Sequence, residues 1–111
     1  MGKCILAGHP PVGGQIGFGT YTGNGAENRT ISLGVTPKWV LVTNKYGMVG
    51  SWYMAENICG GLAVQGSPLD GDSLAVVGGG FNVKYYRVPS NGNVPYATNE
   101  SGAIYNYIYG T

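Results

Sequence analysis

Charge is what this sequence has least of: only 10% of its 111 residues are Asp, Glu, Lys or Arg, against about 25% in an average soluble domain. The cations Lys3, Arg29, Lys38, Lys45, Lys84 and Arg87 stand singly among Glu27, Glu56, Asp70, Asp72 and Glu100, and the sum is +1. No basic stripe can track a phosphate backbone, so nucleic acid is not an expected partner. Histidine is limited to His9, beside Pro10-Pro11, which denies a multi-histidine metal site or a histidine general base its supporting residues. Cysteine is limited to Cys4 and Cys59 with no CxxC pair, leaving two free thiols or one disulfide open. Nothing approaches the ~18 apolar residues of a membrane span, and Cys4 to Ala7 is too short for a secretory leader. The chain therefore reads as made in the cytoplasm, without membrane contact.

Long stretches free of Gly and Pro are also missing. The longest, Lys38 to Tyr46 and Ser51 to Cys59, have nine residues each, short of the ~10 to 14 of a typical helix. What remains is strand-sized and rich in β-branched and aromatic residues: 16–22, 29–33, 38–44, 50–55, 62–65, 73–77, 81–88 and 103–109. About eight short strands predict an all-β fold, an antiparallel β-sandwich of jelly-roll-like or Ig-like type over residues 15–111. Residues 1–14, with Pro10-Pro11 and Gly13-Gly14, read as an extended N-terminal arm. Asn24-Gly25 and Asn91-Gly92 each predict a hairpin with an antiparallel neighbour. Gly78-Gly79-Gly80 reads as a loop or bulge. Pro37 turns the chain into Trp39-Val40-Leu41-Val42, apolar on both faces and so expected at the centre of a sheet.

Catalytic patterns are scarce. No serine lies in a G-x-S-x-G elbow. Asp70-Gly71-Asp72 begins like a calcium loop, but Leu74 and Phe81 occupy later ligand positions. The early glycines lack the lysine of a phosphate loop and any following helix. No enzyme activity, no metal and no cofactor are expected.

Aromatic residues are what the chain has in abundance, with 9 Tyr. In 103–109, Ile104, Asn106 and Ile108 share one face while Tyr105, Tyr107 and Tyr109 share the other. The isoleucine face is expected to look inward. The tyrosine row, with Trp52, Tyr53 and Tyr86, then becomes a candidate contact for a ligand such as a glycan or for another subunit. The competing reading makes the row one face of an inter-sheet core. Phe81, Val83 and Tyr85 are expected to point inward, opposite Asn82, Lys84 and Tyr86.

The wording GTYTGNG, ISLGVTPKWVLV, GGLAVQGSP, GGFNVKYY and SGAIYNYIYGT, in that order from Gly17 to Thr111, resembles a small all-β module of tailed-bacteriophage and prophage virion proteins. That module often closes tail-fibre chains and carries no agreed catalytic residues. The resemblance implies a non-enzymatic virion structural protein located on the phage particle. Because the chain opens at its own Met1 without a shaft segment, the expected form is a surface accessory: a capsid decoration protein or a small tail, baseplate or fibre subunit. Expected partners are other virion proteins and further copies of the chain, a trimer among the states considered. The alternative is a receptor- or glycan-binding module of a tail fibre, serving host attachment.

Overall fold

A computed structural model describes residues 14–50, 58–66 and 73–111. Every regular element among them is a strand: β1 Ile16–Thr22, β2 Arg29–Ser32, β3 Trp39–Asn44, β4 Gly61–Val64, β5 Leu74–Val77, β6 Gly80–Val83, β7 Tyr85–Tyr86, β8 Tyr96–Ala97 and β9 Ile104–Gly110. Frequent Gly and Pro end each run before a helix could offset its nucleation cost, while Val, Ile, Tyr and Phe suit a pleated, half-buried surface. Strands form three antiparallel sheets, ordered β1-β9-β3-β4, β2-β6-β5 and β7-β8. The N-terminal residues 1–13, and with them nearly all of the expected arm, lie outside the described residues. So does the expected strand 50–55 apart from Gly50, which bridges to Ile58.

The two larger sheets share one core. Tyr21, Val40, Val42, Ala63 and Tyr105 of the four-stranded sheet meet Ile31, Leu74, Phe81 and Val83 of the three-stranded one. Phe81 stands between the layers, its ring 5.9 Å from Tyr21 and 5.3 Å from Tyr107. A fully buried Phe contributes roughly 2–3 kcal/mol of transfer free energy, so this ring is a principal link between sheets. β3 is central as its apolar pattern predicts, flanked by β9 and β4.

Three local expectations need correction. Asn24-Gly25 does not close a hairpin: β1 pairs with β9, and β2 pairs with β6 in the other sheet. Gly25 does take the left-handed conformation, φ 80°, but its N–H donates to the Asn99 carbonyl at 2.8 Å and the Asn24 N–H to Asn99 Oδ1 at 3.1 Å. The loop is held by a residue 75 positions away and carries the chain between sheets. Second, the expected strand 81–88 breaks at Lys84. Its N–H donates to Thr98 Oγ1 at 2.8 Å and its carbonyl accepts the Thr98 N–H at 3.0 Å, so the chain pivots there into β7. By contrast, the Asn91-Gly92 segment does join antiparallel neighbours, β7 and β8, and Gly78-Gly79 is the two-residue turn between β5 and β6.

The third correction is the orientation of β9. Its isoleucines do not face inward. Tyr105 is 2% exposed and Tyr107 and Tyr109 pack against the core, whereas Ile104 is 47% exposed. The register supplies the reason, since Gly17 pairs with Tyr109, Gly19 with Tyr107 and Tyr21 with Tyr105. A Cβ on Gly17 would collide with the Tyr109 ring, and one on Gly19 would lie 2.5 Å from the Tyr107 hydroxyl. The two rings lie across bare glycine backbone, filling space that β1 leaves empty. Buried tyrosine also requires a partner for its hydroxyl, and the turn after β8 provides one for Tyr21 and for Tyr105.

Candidate functional site

That turn, Thr98 to Gly102, gathers the buried polar groups. Tyr21 Oη donates to the Thr98 carbonyl at 2.6 Å; Tyr105 Oη donates to the Ala97 carbonyl and accepts the Glu100 N–H at 3.0 Å. Thr98 Oγ1 donates to the Ser73 carbonyl at 2.7 Å. Asn99 Nδ2 donates to Asn24 Oδ1 at 2.7 Å and to the Ala26 carbonyl at 3.0 Å, while its Oδ1 accepts from Arg29 at 3.2 Å. Thr98 and Asn99 are fully buried. These groups are committed to holding loops together, which is the arrangement of a structural knot rather than of a reactive site. Burial pushes Tyr105 up to about 12 and pushes Tyr21 up as well, so both stay protonated near neutral pH.

The contact residues selected by sequence separate accordingly. Tyr105 is enclosed, its ring stacked on Tyr21 at 4.9 Å between centroids. Tyr107 and Tyr109 stack on each other at 6.2 Å and line the inter-sheet space. Tyr86 is exposed on β7, across from Tyr96 of β8. Trp52 and Tyr53 lie outside the described residues, as do His9, Cys4, Asp70 and Asp72. No described residues form a cluster of three or more His, Cys, Asp or Glu that could hold a metal ion. Burial pushes the half-buried Cys59 thiol up, which keeps it from ionising readily.

Two surface features remain. One is a shallow concavity of about 200 Å³ lined by Asn44, Lys45, Tyr46, Gly102, Ala103 and Ile104. Asn44 Oδ1 is committed to the turn, accepting the Tyr46 N–H at 2.8 Å and the Met48 N–H at 3.0 Å. Tyr46 is 74% exposed and Lys45 Nζ lies 5.1 Å from its ring centroid. An exposed ring beside a cation can stack on a planar or sugar face, and the lining residues include no carboxylate, imidazole or thiol.

The other feature is larger. Because β9 turns its tyrosines inward, the outer face of the four-stranded sheet carries Ile16 and Phe18 from β1, Ile104 and Ile108 from β9, Trp39 and Leu41 from β3, and Leu62 and Val64 from β4. Phe18 is 81% exposed, Ile16 65% and Leu62 50%. No protein-family model, curated protein or solved structure significantly matches the chain. Function must be read from the face itself. Across one register line run Phe18, Ile108, Leu41 and Leu62; beside it Ile16, Gly110, Trp39 and Val64; on the other side Thr20, Asn106 and Thr43. Trp39 lies over Gly110, where a Cβ would strike its indole. Not one ionisable side chain interrupts these rows.

Phe18, Ile16 and Leu62 were not singled out by sequence. The available signal was the alternation Ile16-Gly17-Phe18-Gly19, in which every large side chain of the strand's first half lies on one face. A strand whose inner positions are glycines needs large residues on its neighbour to fill the core, and the tyrosines of 105–109 are the residues of that size with matching spacing.

Proposed function

We propose that the chain is a non-enzymatic structural subunit of a bacteriophage particle, a surface-exposed accessory that works as an oligomer beside other virion proteins. The observation that carries this reading is the uncharged apolar outer face of the four-stranded sheet. Contiguous exposed apolar surface beyond a few hundred Å² is uncommon on monomers and marks contact with a partner. The resemblance of the wording from Gly17 to Thr111 to virion modules supplies the setting, and the network around Asn99 ties the loops of the described residues together. The finer fold reading belongs to the same proposal: a sandwich of jelly-roll-like or Ig-like type preceded by an arm. Assembly occurs after synthesis in the host cytoplasm, with no nucleic acid and no membrane as partner. Imaging of intact particles with a tag on this chain tests the reading. Density or label at regular positions on the capsid, tail or baseplate is expected; particles devoid of the chain would refute it.

A second reading is favoured by Tyr46. The exposed ring, with Lys45 and the adjoining concavity, suits a receptor- or glycan-binding module in host attachment. A glycan array probed with the intact protein and with Tyr46→Ala decides it: signal lost in the variant supports the reading, and no signal from either protein removes it.

A further inference from the structure

We infer that the outer face of the β1-β9-β3-β4 sheet is covered by the same face of a second copy, the two related by a twofold axis running along the strands. The inference rests on the proposed assembly role and names its first partner.

Chemistry narrows the occupant. A nucleic acid, an acidic peptide or a charged lipid surface would meet complementary charge, and the register lines of this face contain none. What fits is another neutral, apolar surface. The chain itself carries one, and at a net charge of +1 two copies scarcely repel. Among the described residues Phe18, Ile16, Leu62 and Ile104 of this face are left exposed, at 81%, 65%, 50% and 47%.

Geometry then sets the pairing. The face is divided lengthwise, with the apolar lines through Ile16 and Phe18 at one end, the line of Thr20, Asn106 and Thr43 next, and the pair Thr22 and Ile104 at the far end. A twofold axis along the strands returns each end onto itself, apolar against apolar and Thr/Asn against Thr/Asn. An axis across the strands, centred on the sheet, would place one end against the other and bury hydroxyls beneath isoleucine. The favoured axis reverses the strand order, so β1 of one copy faces β4 of the other. Phe18, the most exposed apolar residue of the face, comes over Leu62 of the second copy, and Ile108 comes over its Leu41. Such aligned face-to-face packing of two sheets, ~10 Å apart, is an established mode of sheet contact.

Size is adequate. Four strands at ~4.8 Å spacing, of four to seven residues each at ~3.4 Å, give a footprint on the order of 400 Å² per copy. With side-chain relief, two such faces cover about 1,000 Å², the threshold for a specific interface. The contact is isologous and therefore closes at two copies.

Sedimentation of the full chain across a dilution series, with Phe18→Asp, Leu62→Lys and an equimolar mixture of the two variants, tests the inference. The wild type is expected at twice the 11.6 kDa of one chain, dissociating on dilution. Each variant alone is expected to weaken association about 30-fold or more, as loss of a central anchor does. The mixture is expected to regain dimer, because the carboxylate introduced in one chain then meets the ammonium introduced in the other. Both positions are solvent-exposed in one copy, and unchanged far-ultraviolet dichroism verifies folding. A monomeric wild type overturns the inference, including the case in which the chain's own residues 1–13 cover the face. A trimer, or an oligomer indifferent to both substitutions, overturns it too, while leaving the virion role to be decided by imaging. Failure of the mixture to re-associate refutes the twofold register.

Discussion

The two faces of the β1-β9-β3-β4 sheet are built from the same residue classes yet do opposite work. On the inner face, aromatic rings lie against glycine backbone, and the enclosed hydroxyls of Tyr21 and Tyr105 find carbonyls and an N–H in and beside the turn after β8. On the outer face, Phe18, Ile16 and Leu62 are as apolar but stand uncovered. The difference teaches that polarity did not decide which side became core. Tyrosine is less apolar than isoleucine, but a tyrosine that reaches a backbone acceptor loses little by burial and brings a larger ring to fill the gap left by Gly17 and Gly19. Isoleucine on the other side has no such gap to fill.

The sharpest way to break the contrast is to empty the inner face. Tyr105→Ala should destabilise by about 3–5 kcal/mol, as large aromatic truncations in cores do, out of a total of only ~5–15. Urea unfolding would show a fall in midpoint or an unfolded protein. Filling the glycine strip is the next test. Gly19→Val forces a branched side chain into the Tyr107 ring and should cost about 1–3 kcal/mol by the same measurement. A smaller effect is expected from alkali. Tyr105 and Tyr21 hold their protons more tightly folded than unfolded, so their contribution is fully present below the ordinary tyrosine value of about 10 and is lost as pH rises through the folded values. The urea midpoint should stay flat up to pH ~9 and drop above pH ~10, and Tyr105→Phe should shallow that drop. Least affected should be dilute protein carrying Phe18→Asp, with a stability change within about 0.5 kcal/mol because the position is exposed. A loss there comparable to that of Tyr105→Ala would erase the distinction between faces.

Much of this fold was legible in local wording. β1 begins and ends where its alternation predicts, β3 is central as its doubly apolar run requires, and Gly78-Gly79 turns the chain between β5 and β6. What local wording could not reveal was which side of β9 faces in. A period of two assigns residues to opposite faces without naming the buried one, and a chain so poor in charge leaves no Lys or Glu row to mark the solvent side. The decisive information lies in a pairing between residues 16–22 and 104–110, where Gly17 and Gly19 each meet a tyrosine. The same distance effect explains the loop at Asn24-Gly25. A hairpin signal of two residues was outweighed by hydrogen bonds from Asn99, far along the chain. Of the candidate contact residues, Tyr86 is exposed, on a strand separated from 81–83 by the break at Lys84, whereas Tyr105 is enclosed. The exposed surface that remains follows from the same reversal, because turning the tyrosines inward turned Phe18, Ile104 and Ile108 outward.

Hydroxyl-radical footprinting of the wild-type chain, read residue by residue over a dilution series, tests the central claim most directly. Tyr21 and Tyr105 should stay protected at every concentration and Tyr46 should label strongly throughout, while Phe18 and Ile16 should pass from protected to labelled as the protein is diluted. Labelling of Tyr105 to the level of Tyr46, or a Phe18 signal that ignores concentration, would contradict the account.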